Sequence, residues 1–171
     1  MGCDIHFFVE YKSKELGNWR NLGQEFHLTR HYGVFAALAD VRNYGGEVKH
    51  EVEPRGIPKD IGWRTVGSYT LYVRDREDAD DQEDSCSKES AERWVAQNSS
   101  RWWDEEKKTR VTGPDWHSES WMTSDEFDKA INFEIEGKVI RDTEDYKAVL
   151  AAMRSLETSG YDVRCVFWFD N

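Results

Sequence analysis

Gly2-Cys3-Asp4-Ile5-His6-Phe7-Phe8-Val9-Glu10-Tyr11 is the stretch from which the fold can be worked out. Side chains of an extended segment alternate between two faces. Cys3, Ile5, Phe7 and Val9 fall on one face, and Asp4, His6, Phe8 and Glu10 on the other. The first face is apolar and enters a core. The end of the chain repeats the pattern: Val163, Cys165, Phe167 and Phe169 alternate, which predicts a closing strand and a partner for the first.

Between these two strands the hydrophobic period changes from two to three or four. Val34, Phe35, Leu38 and Val41 recur at helical spacing within residues 30–42, and Asn43-Tyr44-Gly45-Gly46 ends that helix. Ser13 to Asn18 is a turn, with a short strand around Trp19–Leu22. The segment from Glu53 to Asp60 holds Pro54, Gly56 and Pro58 and reads as an ordered loop. Tyr69 to Arg74 reads as a strand. Ser87 is an N-cap for a helix reaching to about Ser100. Thr123-Ser124-Asp125-Glu126 opens another, with a hydroxyl at the cap and acids in the first turn. Tyr146, Val149, Leu150 and Met153 line one face of residues 143–158, and Gly160 stands where a C-terminal cap belongs. Strands and helices mix without regular βαβ alternation. The expectation is an α+β fold, a single domain over 1–171 with a mixed or mainly antiparallel sheet and about three to four helices.

Composition narrows the function classes. The chain has 171 residues, 13% aromatics and eight Trp, enough to build a core. Its formal net charge is -11 and it has no dense Lys/Arg block, so sequence-specific nucleic-acid binding is not expected. An acidic surface that imitates nucleic acid is a different matter and stays open. Cys3, Cys86 and Cys165 are odd in number and widely spaced, which fits neither a disulfide framework nor a thiolate zinc site. No apolar run approaches 18 residues, and no secretion signal opens the chain, so a cytoplasmic protein without a membrane partner is expected. Gly2 is no myristoylation signal, because His6 stands where Ser or Thr is needed. The acidic run from Asp75 to Asp84 reads as a solvated loop; it lacks the spacing of an EF-hand.

Asp4 and His6 are separated by one residue on a strand, so their side chains point the same way and could share a divalent metal. His117 and Glu119 repeat that spacing. Two facing pairs would supply a four-ligand N/O set suited to Zn, Mn or Fe. Asp60 and Asp115 are candidates to orient water. Arg30, Arg42 and Arg55 are candidates to recognise phosphate, with Arg42 and Arg55 assigned to substrate. Ser118 and Ser120 flank no Gly-x-Ser-x-Gly elbow. His27, His31 and His50 have no paired spacing and read as surface or packing residues. Each of the paired residues also has a plain structural reading: a carboxylate bonded to backbone, or a satisfied interior imidazole.

Four stretches carry a family resemblance: Met1-Gly2-Cys3-Asp4-Ile5-His6; Arg30 through Phe35-Ala36-Ala37-Leu38-Ala39 to Val41-Arg42-Asn43; Pro54-Arg55-Gly56-Ile57-Pro58-Lys59-Asp60; and His117-Ser118-Glu119-Ser120-Trp121-Met122-Thr123. Together they resemble a family of phage and prophage proteins to which no activity is assigned. Members often read His-Ser-His-Ser-Trp, so Glu119 replaces a second histidine here. Against the family, residues of about 75–112 look like a variable insertion. Asp-x-His on a first strand is also similar to metallophosphoesterases, but the later Gly-Asn-His-Asp and Gly-His-x-His motifs are absent, and that fold is not inferred.

These readings converge on three expectations. The first is a phage accessory protein that hydrolyses a phosphodiester or nucleotide, immune signals of the infected bacterial host included, with a metal on Asp4, His6, His117 and Glu119. The second is a non-catalytic sponge for a nucleotide signal, which needs a pocket with arginine and aromatic faces. The third is an acidic inhibitor that blocks a host defence protein.

Overall fold

The computed structural model describes residues 2–50, 52–76, 78–135, 138–139 and 142–171, the side chains of Lys138 and Val139 excepted. In chain order the elements are β1 (Ile5–Lys12), β2 (Trp19–Asn21), α1 (Tyr32–Ala39), α2 (Trp63–Tyr69), β3 (Thr70–Arg74), β4 (Ser85–Ser87), α3 (Lys88–Ala96), β5 (Arg110–Thr112), β6 (His117–Met122), α4 (Ser124–Ile131), β7 (Glu134–Ile135), β8 (Lys138–Val139), α5 (Glu144–Thr158) and β9 (Asp162–Phe169). The fold is α+β, with mixed and antiparallel sheets. Its backbone groups into two compact units, Met1–Gly62 with His117–Asn171, and Trp63–Trp116.

The first unit is built on a four-stranded sheet in the order β2-β1-β9-β6. β1 and β9 pair antiparallel along their full length, from Ile5 opposite Phe169 to Lys12 opposite Asp162. Antiparallel partners share a face. Ile5, Phe7 and Val9 therefore stand with Phe169, Phe167 and Cys165, and all six are buried. α1, α4 and α5 supply the other half of this core through Val34, Phe35, Leu38, Phe127, Ile131, Tyr146 and Met153. Burying one such side chain stabilises by roughly 1.5–3 kcal/mol.

Capping explains where the helices begin and end. Thr123 and Glu126 form a reciprocal capping box at the start of α4. Gly160, at φ +89°, closes α5 and donates to the Glu157 carbonyl at 2.8 Å. α1 is shorter than its apolar period: His31 Nδ1 accepts from Val34 N, and Asp40 turns left-handed at φ 59°.

The second unit carries a three-stranded sheet in the order β4-β3-β5 with α3 against it. The run 75–112 lies inside it. Its acidic segment, 75–84, is solvent-exposed at every described residue but Ala79, as the solvated-loop reading expects, and it also makes fixed contacts. Ala79 is fully buried, and Asp80 accepts from Ser87 N at 2.8 Å and Ser90 Oγ at 3.0 Å, a second cap on α3. α2 is the helix that the pattern did not show. Thr65, Val66 and Gly67 are poor helix formers, and Thr65 and Tyr69 are the residues it buries.

Candidate functional site

The opening motif is a close-packed corner. A Cβ on Gly2 would lie 2.2 Å from Arg30 Nη1, so glycine leaves room for that guanidinium. Arg30 turns onto Asp4 in a forked ion pair, Nε to Oδ1 at 2.9 Å and Nη2 to Oδ2 at 2.6 Å. Both side chains remain about half exposed. Cys3 is fully buried in the core.

His6 has different company. Its Nδ1 lies 2.8 Å from Glu25 Oε1, its Nε2 lies 3.4 Å from Asp170 Oδ2, and its ring stacks on Trp168 at 5.3 Å. Burial pulls its pKa down, but the hydrogen bond and charge of Glu25, joined by Asp170, more than offset this and hold it above the ordinary histidine value. The two carboxylates approach opposite ring nitrogens. That geometry holds an imidazolium; it does not gather three groups around one point.

His117, of the second pair, lies on the other side of the sheet. His6 pairs with Trp168, and His117 pairs with Phe169. Trp168 and Phe169 are successive residues of β9, so the two histidines face opposite ways, two strand spacings or about 10 Å apart. A register shift between His117 and Ser120 adds one residue to β6, with Ser118 left-handed at φ 52°. This bulge breaks the alternation, so His117 and Glu119 lose their common face. His117 Nδ1 lies 3.1 Å from Ser118 Oγ, and its ring stacks on Phe169. The structure does not bring Asp4, His6, His117 and Glu119 together. Among the described residues no three His, Cys, Asp or Glu side chains are grouped to hold a metal ion.

Asp60 and Arg55 are parts of a loop fastened across the sheet. Arg164 donates Nε to Glu10 Oε2 at 2.9 Å and Nη1 to Asp60 Oδ1 at 3.0 Å, and lies over the Trp19 ring at 3.9 Å. Gly62 N donates to Glu10 Oε1 at 2.7 Å. Burial pushes the Asp60 pKa up, but Arg164 and Trp19 bring it below the usual carboxylate range. Arg55 makes a forked pair with Glu126 and covers the Trp121 ring at 4.5 Å, while Gly56 N donates to the Glu119 carbonyl at 2.9 Å. Arg55 is thereby committed to the α4 capping box. Asp115 is exposed in a turn of the second unit.

Arg42 borders a pocket. The pocket holds about 280 Å³ between α1 and the following loop, lined by Tyr32, Gly33, Arg42, Tyr44, Glu47 and Val48 among others. That volume is just below the roughly 300–1,000 Å³ typical of ligand sites. Arg42 is left-handed at φ 59°, a conformation a non-glycine side chain keeps only where its surroundings impose it. Its Nη1 donates to Tyr44 Oη at 2.5 Å and its Nη2 to the Gly2 carbonyl at 3.5 Å. The rings on either side are accessible, Tyr32 at 41% and Tyr44 at 82%. Asn43 fixes the loop: Nδ2 donates to Asp40 Oδ1 and to the Val48 carbonyl, both at 2.7 Å. The floor is tight, because a Cβ on Gly33 would lie 2.8 Å from Phe133 Cζ.

Tyr32 and Tyr44 escaped the sequence reading. The available signal was Tyr44 itself, an aromatic between Asn43 and Gly45-Gly46 where no strand or helix could bury it. Glu25, Arg164 and Asp170 carried no motif at all. No family model, no curated protein and no solved structure matches this chain.

Proposed function

We propose that this protein binds a small phosphorylated aromatic ligand of the nucleotide class and releases it unchanged. The observation that carries the reading is Arg42, held by the Tyr44 hydroxyl at the wall of a fixed pocket between two accessible tyrosine rings. A guanidinium pairs with phosphoryl oxygens in a planar fork, and aromatic rings stack on bases. The placement of the candidate ligands supports binding over turnover: Asp4, His6 and Asp60 are engaged with Arg30, with Glu25 and Asp170, and with Arg164, and His117 lies on the face of the sheet opposite His6. In the phage setting that the sequence motifs suggest, the ligand is a nucleotide signal in the cytoplasm of an infected bacterium, and the protein sequesters it. Among the described residues no helix is long and apolar enough to cross a membrane.

Equilibrium dialysis against a panel of mononucleotides and cyclic nucleotides, with chromatography of the recovered ligand, tests this. Binding with intact ligand supports sequestration. Cleaved ligand would replace it with hydrolysis.

One observation favours a metal-dependent hydrolase as the second reading: Nε2 of His117 is buried without a hydrogen-bond partner. An imidazole nitrogen in that state is suited to a metal or a proton. Elemental analysis of protein purified without chelator or histidine tag, beside His117→Ala, tests it; metal that disappears in the variant supports the hydrolase.

A further inference from the structure

The three-stranded sheet of the second unit has one face on α3 and one that carries charge. Leu71, Val73, Cys86 and Val111 pack with Trp94, Val95 and Trp102 on the first. On the second, Tyr72 of β3 stands opposite Arg110 of β5, with Arg74 two residues further along β3. Arg110 covers the Tyr72 ring at 3.8 Å from its centroid, and Arg74 covers it at 4.6 Å. Two guanidiniums thus share one ring. Arg110 Nη1 also donates to Thr70 Oγ1 at 2.8 Å.

Neither arginine has a carboxylate within 4.0 Å among the described residues, in a chain with 34 Asp and Glu. Nearby acids are turned elsewhere. Asp78 pairs with Arg76, Asp80 caps α3, and Asp104 accepts from the backbone N–H groups of Thr109 and Arg110. Arg74 and Arg110 sit diagonally across β3 and β5, both guanidiniums within 4.6 Å of one ring centroid; like charges that near repel, and an anion bound to both offsets that repulsion. Arg74 is exposed and Tyr72 and Arg110 are partly so, which leaves the group open to solvent.

We propose that Arg74, Arg110 and the Tyr72 hydroxyl form a phosphoryl-binding site on the second unit, independent of the Arg42 pocket. Two planar forks and a phenolic donor match the oxygens of a phosphate dianion. Inorganic phosphate and a phosphomonoester carry the same chemistry.

The test is a titration of the full chain in the Arg42→Gln background, which removes the other guanidinium pocket, with inorganic phosphate followed by ³¹P NMR. Adding Arg74→Gln and Arg110→Gln should weaken phosphate binding at least tenfold, and Arg110→Lys, which keeps the charge and loses the fork, only several-fold. Glycerol phosphate binding equally well would identify the phosphoryl group alone as the ligand; tighter binding would identify a monoester. Circular dichroism checks that each variant is folded. Unchanged phosphate affinity in the folded double variant, or chloride competing as well as phosphate, would overturn the proposal and leave the arginines as supports for Tyr72.

Discussion

One ion pair stands just before β1 and a second lies near its far end, and the two differ in kind. Near its start Asp4 meets Arg30 with side chains 59% and 45% exposed. Further along, Glu10 meets Arg164 at 0% and 7%. Both join a carboxylate to an arginine, at 2.6 and 2.8 Å; burial is what differs. Water screens the first pair, so its contribution is small. The second has no water to fall back on, and removing one partner strands a charge. Asp4 of the conspicuous opening motif is thus a surface latch, and the inconspicuous Glu10 anchors both the closing strand and the 53–62 loop.

Arg164→Ala should sharpen this contrast most, lowering stability by about 3–5 kcal/mol in urea unfolding. Replacing both partners, Glu10→Leu with Arg164→Met, should recover most of the loss. A single-mutant cost under about 1 kcal/mol would place water at that pair and erase the distinction. Thr123→Ala removes half of the capping box that Arg55 supports and should cost about 1 kcal/mol. Arg30→Ala should cost no more than about 1 kcal/mol and respond to salt, as exposed pairs do.

His6 gives the smallest effect and a pH signature. Its folded pKa is raised above 6.5. Its contribution is therefore complete below the unfolded value of about 6.5 and is lost as pH rises through the folded value. His6→Gln should flatten the stability profile in that window, and Asp170→Asn should flatten it in part. A profile unchanged by His6→Gln would remove Glu25 and Asp170 as its charged partners.

Much of the first unit was legible because its signals are local. Alternation in Ile5, Phe7 and Val9 and in Cys165, Phe167 and Phe169 predicted the pair of strands that became the centre of the sheet. The period of Tyr146, Val149 and Met153 predicted α5, and Thr123 its neighbour's cap. The division into two units was not legible, since no linker composition marks Gly62 or Trp116. Nor was the bulge at Ser118, because serine carries no preference for positive φ and one extra residue reverses every later side chain. Candidate-site reasoning from spacing alone failed there. Arg42 was reached from its residue type, while the rings that make its surroundings informative depend on a loop held by Asn43.

The most direct test of the binding account is calorimetric titration of the full chain with the tightest-binding nucleotide from the dialysis panel, beside Tyr44→Ala and Arg42→Gln. The account predicts one-to-one binding by the wild type, roughly tenfold weaker binding in each variant, in line with about 1–3 kcal/mol for a stacked ring, and nucleotide recovered intact. Wild-type affinity retained in both variants, or no nucleotide bound at all, would contradict it.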